Sequence, residues 1–319
     1  MHKTSQQRSR QQRRRTVGGL AALTVLLVGL TACSSSSSTS GAAQSSDAAA
    51  DLGTISPGVI KVAIEPYAPY TSMQGSKMVG LDADILTTAA ATLGLKVEPT
   101  VTDFAGMLAS VQARRVDATI GGVAWTADRQ KQGLFTDPPY YSPPAMAVRS
   151  GKTYSTVQDL QGLSMGTVEG YVWVKSIQEV PGAKLHVYPD APSVFSDLAS
   201  GRIDVAFLDP LIIIAAQKAN PAMKITTEYL QSPSADEVKQ HPAYSYFQPY
   251  MTGFYLPKQA SKLQQALDTQ IDAMYSDGRL SALITKYGGD PGQFLKPSAV
   301  MGAQRTAVDR AATWQPPSL

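Results

Sequence analysis

Two matching stretches decide the fold. Leu108-Ala109-Ser110 leads to Arg115-Val116-Asp117-Ala118, and Leu198-Ala199-Ser200 leads to Arg202-Ile203-Asp204-Val205, with the two aspartates 87 residues apart. Each reads as a helix end, a basic residue, and an acidic residue that opens a buried strand. Two α/β lobes of similar build produce such a repeat. Working outward, Val59 to Ile64 is a short β-branched run and reads as a strand. Leu81, Ile85, Ala89 and Leu93 recur at near-helical spacing before Gly94 stops the helix. Lys96 to Val101 is a strand, Asp103 can cap a helix carrying Phe104, Met107, Leu108 and Val111, and Val116 to Ile120 is a strand. The second set runs strand Ser164 to Thr167, helix from about Tyr171, strand Leu185 to Tyr188, helix around Val194 to Ala199, strand Ile203 to Leu208. Alternation of this kind predicts largely parallel sheets with helices on both faces. Such sheets take ligands beyond the carboxyl ends of their strands, so two facing lobes enclose a cleft.

Charge and composition narrow the function. The chain has 319 residues, 43% hydrophobic, a net charge of +3, one cysteine and three histidines. That is enough material for one large or two ordinary domains, and it excludes a chain disordered throughout. One cysteine excludes an intramolecular disulfide scaffold and a cysteine-rich zinc site. The positive charge is unevenly spread. Of 28 lysines and arginines, six fall in residues 1–32, which hold no acidic residue. The 22 that remain face 25 acidic residues, a net charge of about −3, so a nucleic-acid partner loses its support. The basic start is followed by 15 small and apolar residues, Gly18 to Ala32, too short a run for a spanning helix. This is the pattern of a secretory signal peptide. Residues 33–58 follow as a Ser/Ala-rich tether with five serines in a row, Ser34 to Ser38. Residues 297–319 have weak periodicity and read as a poorly ordered C-terminal tail.

The signal peptide ends in Leu30-Thr31-Ala32-Cys33, which resembles the lipobox of bacterial lipoproteins, and this implies lipidation of Cys33. Residues 59 to about 295 resemble the family 3 extracellular solute-binding proteins of bacterial ABC importers, typified by polar amino-acid receptors. Ile60-Lys61-Val62-Ala63-Ile64 followed by Tyr67-Ala68-Pro69-Tyr70 is similar to that family's strand and Tyr-x-Pro-Phe turn. Gly80-Leu81-Asp82-Ala83-Asp84-Ile85 looks like its Gly-Phe-Asp-x-Asp-Leu. Arg115-Val116-Asp117, Gly121-Gly122, Thr126 and Arg129 match its helix, strand and arginine segment. Phe135-Thr136-Asp137-Pro138-Pro139-Tyr140-Tyr141 and Gly201-Arg202-Ile203-Asp204 through Asp209 match later segments in order.

The resemblance implies an α/β, two-lobed periplasmic-binding-protein-like fold of type II with mostly parallel sheets and two hinge crossovers. The crossovers are expected near Val148-Arg149-Ser150 and near Tyr250 to Gly253. Lobe 1 would then be 59–148 plus 252–296, and lobe 2 would be 149–251. It implies a monomer, lipid-anchored to the outer face of the bacterial cell membrane. That monomer captures a small zwitterionic or cationic solute by hinge closure and delivers it to a permease. No cofactor or metal is expected.

The resemblance also names contacts. Arg129 falls where relatives clamp the ligand α-carboxylate, a task suited to a planar, always-charged fork. Asp209 falls where they take the ammonium, although the same residue before Pro210 suits an N-cap. Tyr67 and Phe104 match positions that sandwich the ligand. Gly122, Ala124 and Trp125 lie in the loop after the Gly121-Gly122 turn. Tyr171 and Trp173 follow Glu169-Gly170 at a helix N-terminus. Glu65 and Glu169 could add negative charge. Two departures stand out: Ala124 and Tyr171-Val172 replace hydroxyl residues usual in amino-acid receptors. These changes point to a ligand bulkier or more methylated than a standard amino acid.

Enzymatic signals are weak. His186 and His241 lie outside every motif, no cluster has metal-ligand spacing, and no Gly-x-Ser-x-Gly elbow appears. A sensor or surface lipoprotein with the same fold, and a cyclohexadienyl-dehydratase-like enzyme, remain as alternatives.

Overall fold

The computed structural model describes residues 52–298, 301, 310, 311 and 313–319. The signal peptide, Cys33 and most of the tether lie outside these residues. The tether's end is held against the fold. Ile55 N–H donates to Asp117 Oδ1 at 2.7 Å, and Ser56 bridges Val59.

The chain opens with β1 (Val59–Ile64), the hairpin β2 (Ser72–Gln74) and β3 (Lys77–Val79), α1 (Leu81–Thr92) and β4 (Lys96–Val101). Then come α2 (Phe104–Gln112), β5 (Ala118–Thr119), α3 (Ala127–Gln130), β6 (Gly133–Phe135) and β7 (Tyr141–Ser142). β1 runs parallel between β4 and β5. Ile60, Val62, Ala63 and Ile64 are buried, as a central strand covered on both faces requires. Full burial of each large one contributes roughly 1.5–3 kcal/mol. α1 carries Leu81, Ile85, Leu86, Ala89 and Ala90 inward, with Asp82 and Asp84 in the first turn where the helix dipole favours them. The Asp103 carboxylate caps α2 by accepting the Gly106 N–H at 2.6 Å.

The second part contains β8 (Ala145–Arg149), β9 (Ser164–Val168), α4 (Trp173–Glu179), β10 (Lys184–Tyr188) and α5 (Ala191–Ser200). It continues with β11 (Val205–Phe207), α6 (Pro210–Ala219), β12 (Ile225–Tyr229) and α7 (Ala235–Gln240). The chain then returns through β13 (Tyr250–Met251) and β14 (Tyr255–Pro257) to α8 (Ser261–Ser276), α9 (Arg279–Lys286) and α10 (Pro291–Phe294).

Two five-stranded sheets result, ordered β4-β1-β5-β14-β6 and β10-β9-β11-β8-β12. In each, four strands run the same way and one, β14 or β8, is inserted antiparallel between the parallel trio and the last strand, so the sheets are mostly parallel. The repeat that opened the sequence reading has the same job in both. Asp117 Oδ2 accepts the Lys61 N–H of β1 at 2.8 Å, and Asp204 Oδ2 accepts the Ser164 N–H of β9 at 3.0 Å. In each sheet the aspartate at the head of the third strand fastens the neighbouring parallel strand.

The first crossover is not at Val148–Ser150. β8 pairs with β11 and β12, so Ala145–Arg149 already belongs to the second sheet. The chain crosses between β7 and β8, at Pro143-Pro144, where two residues without N–H groups interrupt strand pairing. The return strand β13 pairs antiparallel with β7, Tyr250 opposite Ser142 and Met251 opposite Tyr141. The described part of the C-terminal tail is also not loose. Trp314 stacks on Trp125, Arg310 reaches Asp268, and Met301 is buried.

Candidate ligand-binding cleft

The carboxyl ends of β1 and β5 face those of β9 and β11 across a nearly closed cleft, with a cavity of about 10 Å³ left between them. From the first lobe, Phe104, Gly121, Gly122, Ala124 and Arg129 line it; from the second, Tyr171, Val172, Trp173 and Asp209. Tyr250 of β13 closes the hinge side. That is room for about one water, so the facing side chains themselves fill the closed cleft.

Asp209 is the hub. It precedes Pro210 of α6, yet its side chain makes no cap bond to that helix. Its Oδ2 instead accepts the Tyr67 hydroxyl at 3.0 Å, and its Oδ1 accepts Ser142 Oγ at 3.0 Å and the Tyr250 hydroxyl. The competing N-cap reading therefore falls. Asp209 is only 4% exposed, and burial pushes its carboxyl up to about 6 against those three hydroxyls and Arg129. Gly122 sits opposite with φ +67°, and a Cβ there would come within 3.3 Å of Asp209 Oδ2, so both the left-handed backbone and the nearness of Asp209 favour glycine.

Glu65, at the end of β1, accepts the Tyr171 hydroxyl across the cleft at 2.5 Å. Burial pushes its carboxyl up to about 7, and the charge of Asp209 adds to that. Asp82 accepts the N–H groups of Gly121 and Gly122 at 2.6 and 2.9 Å and so fixes the glycine turn. Its carboxyl is also raised by burial, to about 6. Arg129 is the cation among them. Its Nη1 donates to Ala124 O at 2.8 Å, its Nη2 donates across the cleft to Gly170 O at 3.1 Å, and its plane lies 5.0 Å from the Phe104 ring centre. Burial lowers its pKa to about 10, which leaves it charged at neutral pH.

Aromatic rings complete the walls. Tyr171 meets Tyr67 and Phe104 edge-on at 5.8 and 4.8 Å, and Trp173 sits beside Tyr171 and Tyr250 at 5.9 and 6.1 Å.

Of the residues expected from sequence, Tyr67, Phe104, Gly122, Ala124, Arg129, Tyr171, Trp173 and Asp209 converge here, with Glu65 held through Tyr171. Trp125 does not. Its ring packs away from the cleft, against Phe135 and Trp314, and its backbone N–H donates to Met251 O at 2.9 Å. Glu169 is exposed and stands outside the cleft. Sequence reasoning missed Ser142, Tyr250 and Asp82. Tyr250 sits within the expected second crossover, which was the available signal for it.

A hinged pair of α/β lobes closing on a charged aromatic cavity defines a solute-binding protein. The family model described as bacterial extracellular solute-binding proteins, family 3, matches residues 60–290, and the chain belongs to that family. ABC transporter arginine-binding protein 1 of Escherichia coli is 32% identical over 169 residues, covering 52% of this chain and 69% of that protein. The L-cystine-binding protein TcyJ of Escherichia coli is 29% identical over 240 residues, covering 73% and 83%. The structure of an ancestral arginine-binding protein bound to arginine aligns with a TM-score of 0.62 at 25% identity, over 73% of this chain and 99% of that one. These relatives are binding proteins, and the chain is a binding protein rather than an enzyme.

Proposed function

We propose that the chain is the receptor of an ABC importer and captures an amino acid, or an amino-acid-like amine, that carries positive charge. The observation that carries this is the charge balance of the cleft. Three buried carboxyl groups, Glu65, Asp82 and Asp209, stand against the single guanidinium of Arg129 in this region, and burial raises all three. A cationic ligand supplies what is missing. Arg129 takes the carboxylate end with donors left free by its two backbone bonds. Phe104, Tyr67 and Tyr171 cover the aliphatic part, and Asp209 with Glu65 faces the cationic end. Lobe 1 receives the ligand, and closure brings Tyr171 and Asp209 onto it. Ala124 and Val172, where relatives carry hydroxyls, favour a ligand held by its charges and its apolar stem. The relative named for arginine agrees with a cationic ligand, and the one named for cystine, a net-neutral zwitterion, agrees with an amino acid in general.

In the same reading, residues 1–32 direct export and Cys33 carries the lipid that holds a monomeric receptor at the outer face of the cell membrane. The closed form then docks on its permease. Calorimetry of the purified chain against L-arginine, L-histidine, L-cystine, glycine betaine, putrescine, an opine and maltose tests the ligand class. Binding of a cationic amino acid or amine supports it, and binding of maltose alone overturns it. Cys33→Ser should release the protein from the membrane fraction; retention there would refute the anchor.

A further inference from the structure

The family match ends at residue 290, and the end of the chain lies beyond it. The described part of that end, residues 310, 311 and 313–319, grips two places that govern the cleft. The first is the back of the ligand loop. The Trp314 ring stacks on Trp125 at 5.6 Å and 28°, and the Arg310 guanidinium lies 5.5 Å from the Trp125 ring centre. Trp125 is the residue after Ala124, whose carbonyl aims Arg129. The second place is the hinge: the hydroxyl of Tyr141 in β7 donates to Pro317 O.

The segment is clamped where it lies. Arg310 Nη1 donates to Asp268 Oδ2 at 2.8 Å, and its Nη2 donates to Phe135 O at 2.8 Å and pairs with Asp137 Oδ1 at 3.2 Å. Trp314 Nε1 donates to the same Asp137 Oδ1 at 2.9 Å, and Leu319 N–H donates to Leu295 O at 3.1 Å. Asp137 and Asp268 are themselves joined, the N–H of one to Oδ1 of the other at 2.6 Å. Arg310, Asp137 and Asp268 side chains are 14%, 9% and 12% exposed, so removing Arg310 would leave two nearly buried carboxylates without their cation.

We infer that the C-terminal segment is a strap that positions the ligand loop, with Arg310 and Trp314 as positioning residues acting on Arg129 through Trp125. The inference rests on the cleft being the ligand site, as proposed above. Without the strap, one face of Trp125 loses its partner, and the backbone between Gly121 and Arg129 gains freedom that ligand binding must then remove.

The test compares the full chain with Trp314→Ala, Trp314→Phe, Arg310→Ala and a chain ending after residue 309. Hydrogen exchange is read without ligand in segment 121–129 and in β9 (164–168), and L-arginine affinity is read by calorimetry. In Trp314→Ala, protection should be lost in 121–129 and kept in β9, Trp314→Phe should restore it, and affinity should fall about three- to thirtyfold. Unchanged exchange in 121–129, or equal loss in both segments, overturns the strap. If L-arginine fails to bind the unaltered chain, the ligand reading fails while the exchange comparison still decides the strap. If the shortened chain does not fold, the single substitutions carry the test.

Discussion

Replacing Arg129 by alanine separates two jobs of one side chain. Its bond to Ala124 O and its stack on Phe104 lie within the first lobe, so they are present before and after closure and cancel in the binding free energy. Its bond to Gly170 O links the lobes in the closed form, and at a partly exposed site it is worth about 1 kcal/mol. Loss of the partner to a buried ligand carboxylate costs about 2–5 kcal/mol. Together the loss is about 3–6 kcal/mol, or about 100- to 20,000-fold in affinity for L-arginine. Agmatine, which is arginine without its carboxylate, loses only the lobe link, about fivefold. Calorimetry on both ligands with Arg129, Arg129→Ala and Arg129→Lys measures the difference directly. Lysine keeps the charge but not the fork, so it should recover only part of the arginine affinity. Equal losses for the two ligands would refute the carboxylate clamp and move that contact elsewhere in the cleft.

pH should act on binding and on stability with opposite signs. A cationic ligand favours ionised Asp209 and Glu65, raised to about 6 and about 7, so affinity for L-arginine should be flat above neutrality and fall as pH drops through that range. The slope approaches about tenfold per pH unit for each proton displaced. Without ligand, Glu65 keeps its proton up to about pH 7, whereas in the unfolded chain it loses it near 4.5. Its contribution is therefore whole below pH 4.5 and lost as pH rises to about 7, some 3 kcal/mol at most, and Glu65→Gln should flatten that slope in denaturant titrations. Gly122→Ala forces a side chain into φ +67° and against Asp209, which should cost about 1–2 kcal/mol of stability and weaken ligand binding. An unaltered thermal midpoint would contradict the close approach of the lobes.

Much of this was readable in the residues. β1, β4 and α2 occupy the spans that β-branched runs, the apolar spacing and the Asp103 cap mark out. The repeat around Asp117 and Asp204 marks two similar sheets, and each aspartate ties the neighbouring parallel strand. What sequence could not place was decided by partners distant along the chain. Ala145-Met146-Ala147-Val148 is fully buried and would suit either sheet; only pairing with β11 and β12 assigns it. Trp125 sits in the right loop, but its ring packs away from the cleft between Phe135 and Trp314, the latter nearly 190 residues further on. The polar tail conceals an order that comes from single bonds by Arg310 and Trp314 rather than from periodicity. Asp209 was legible as a cleft acid, but not the hydroxyls of Ser142 and Tyr250 that gather on it from the two hinge strands.

The pairing of β7 with β13 has a consequence for how such a molecule can change over generations. The second lobe enters and leaves through residues that face one another in register, Ser142 beside Tyr250 and Tyr141 beside Met251. It is therefore a cassette spliced into a continuous host, with both splice points side by side. A gene segment coding for it could be exchanged for that of a relative with the main chain cut only at this short ladder, provided the bonds across the cleft, such as Tyr67 to Asp209 and Tyr171 to Glu65, are kept. Half of the ligand's surroundings would be replaced in a single recombination, and the half holding Arg129 would be left as it was.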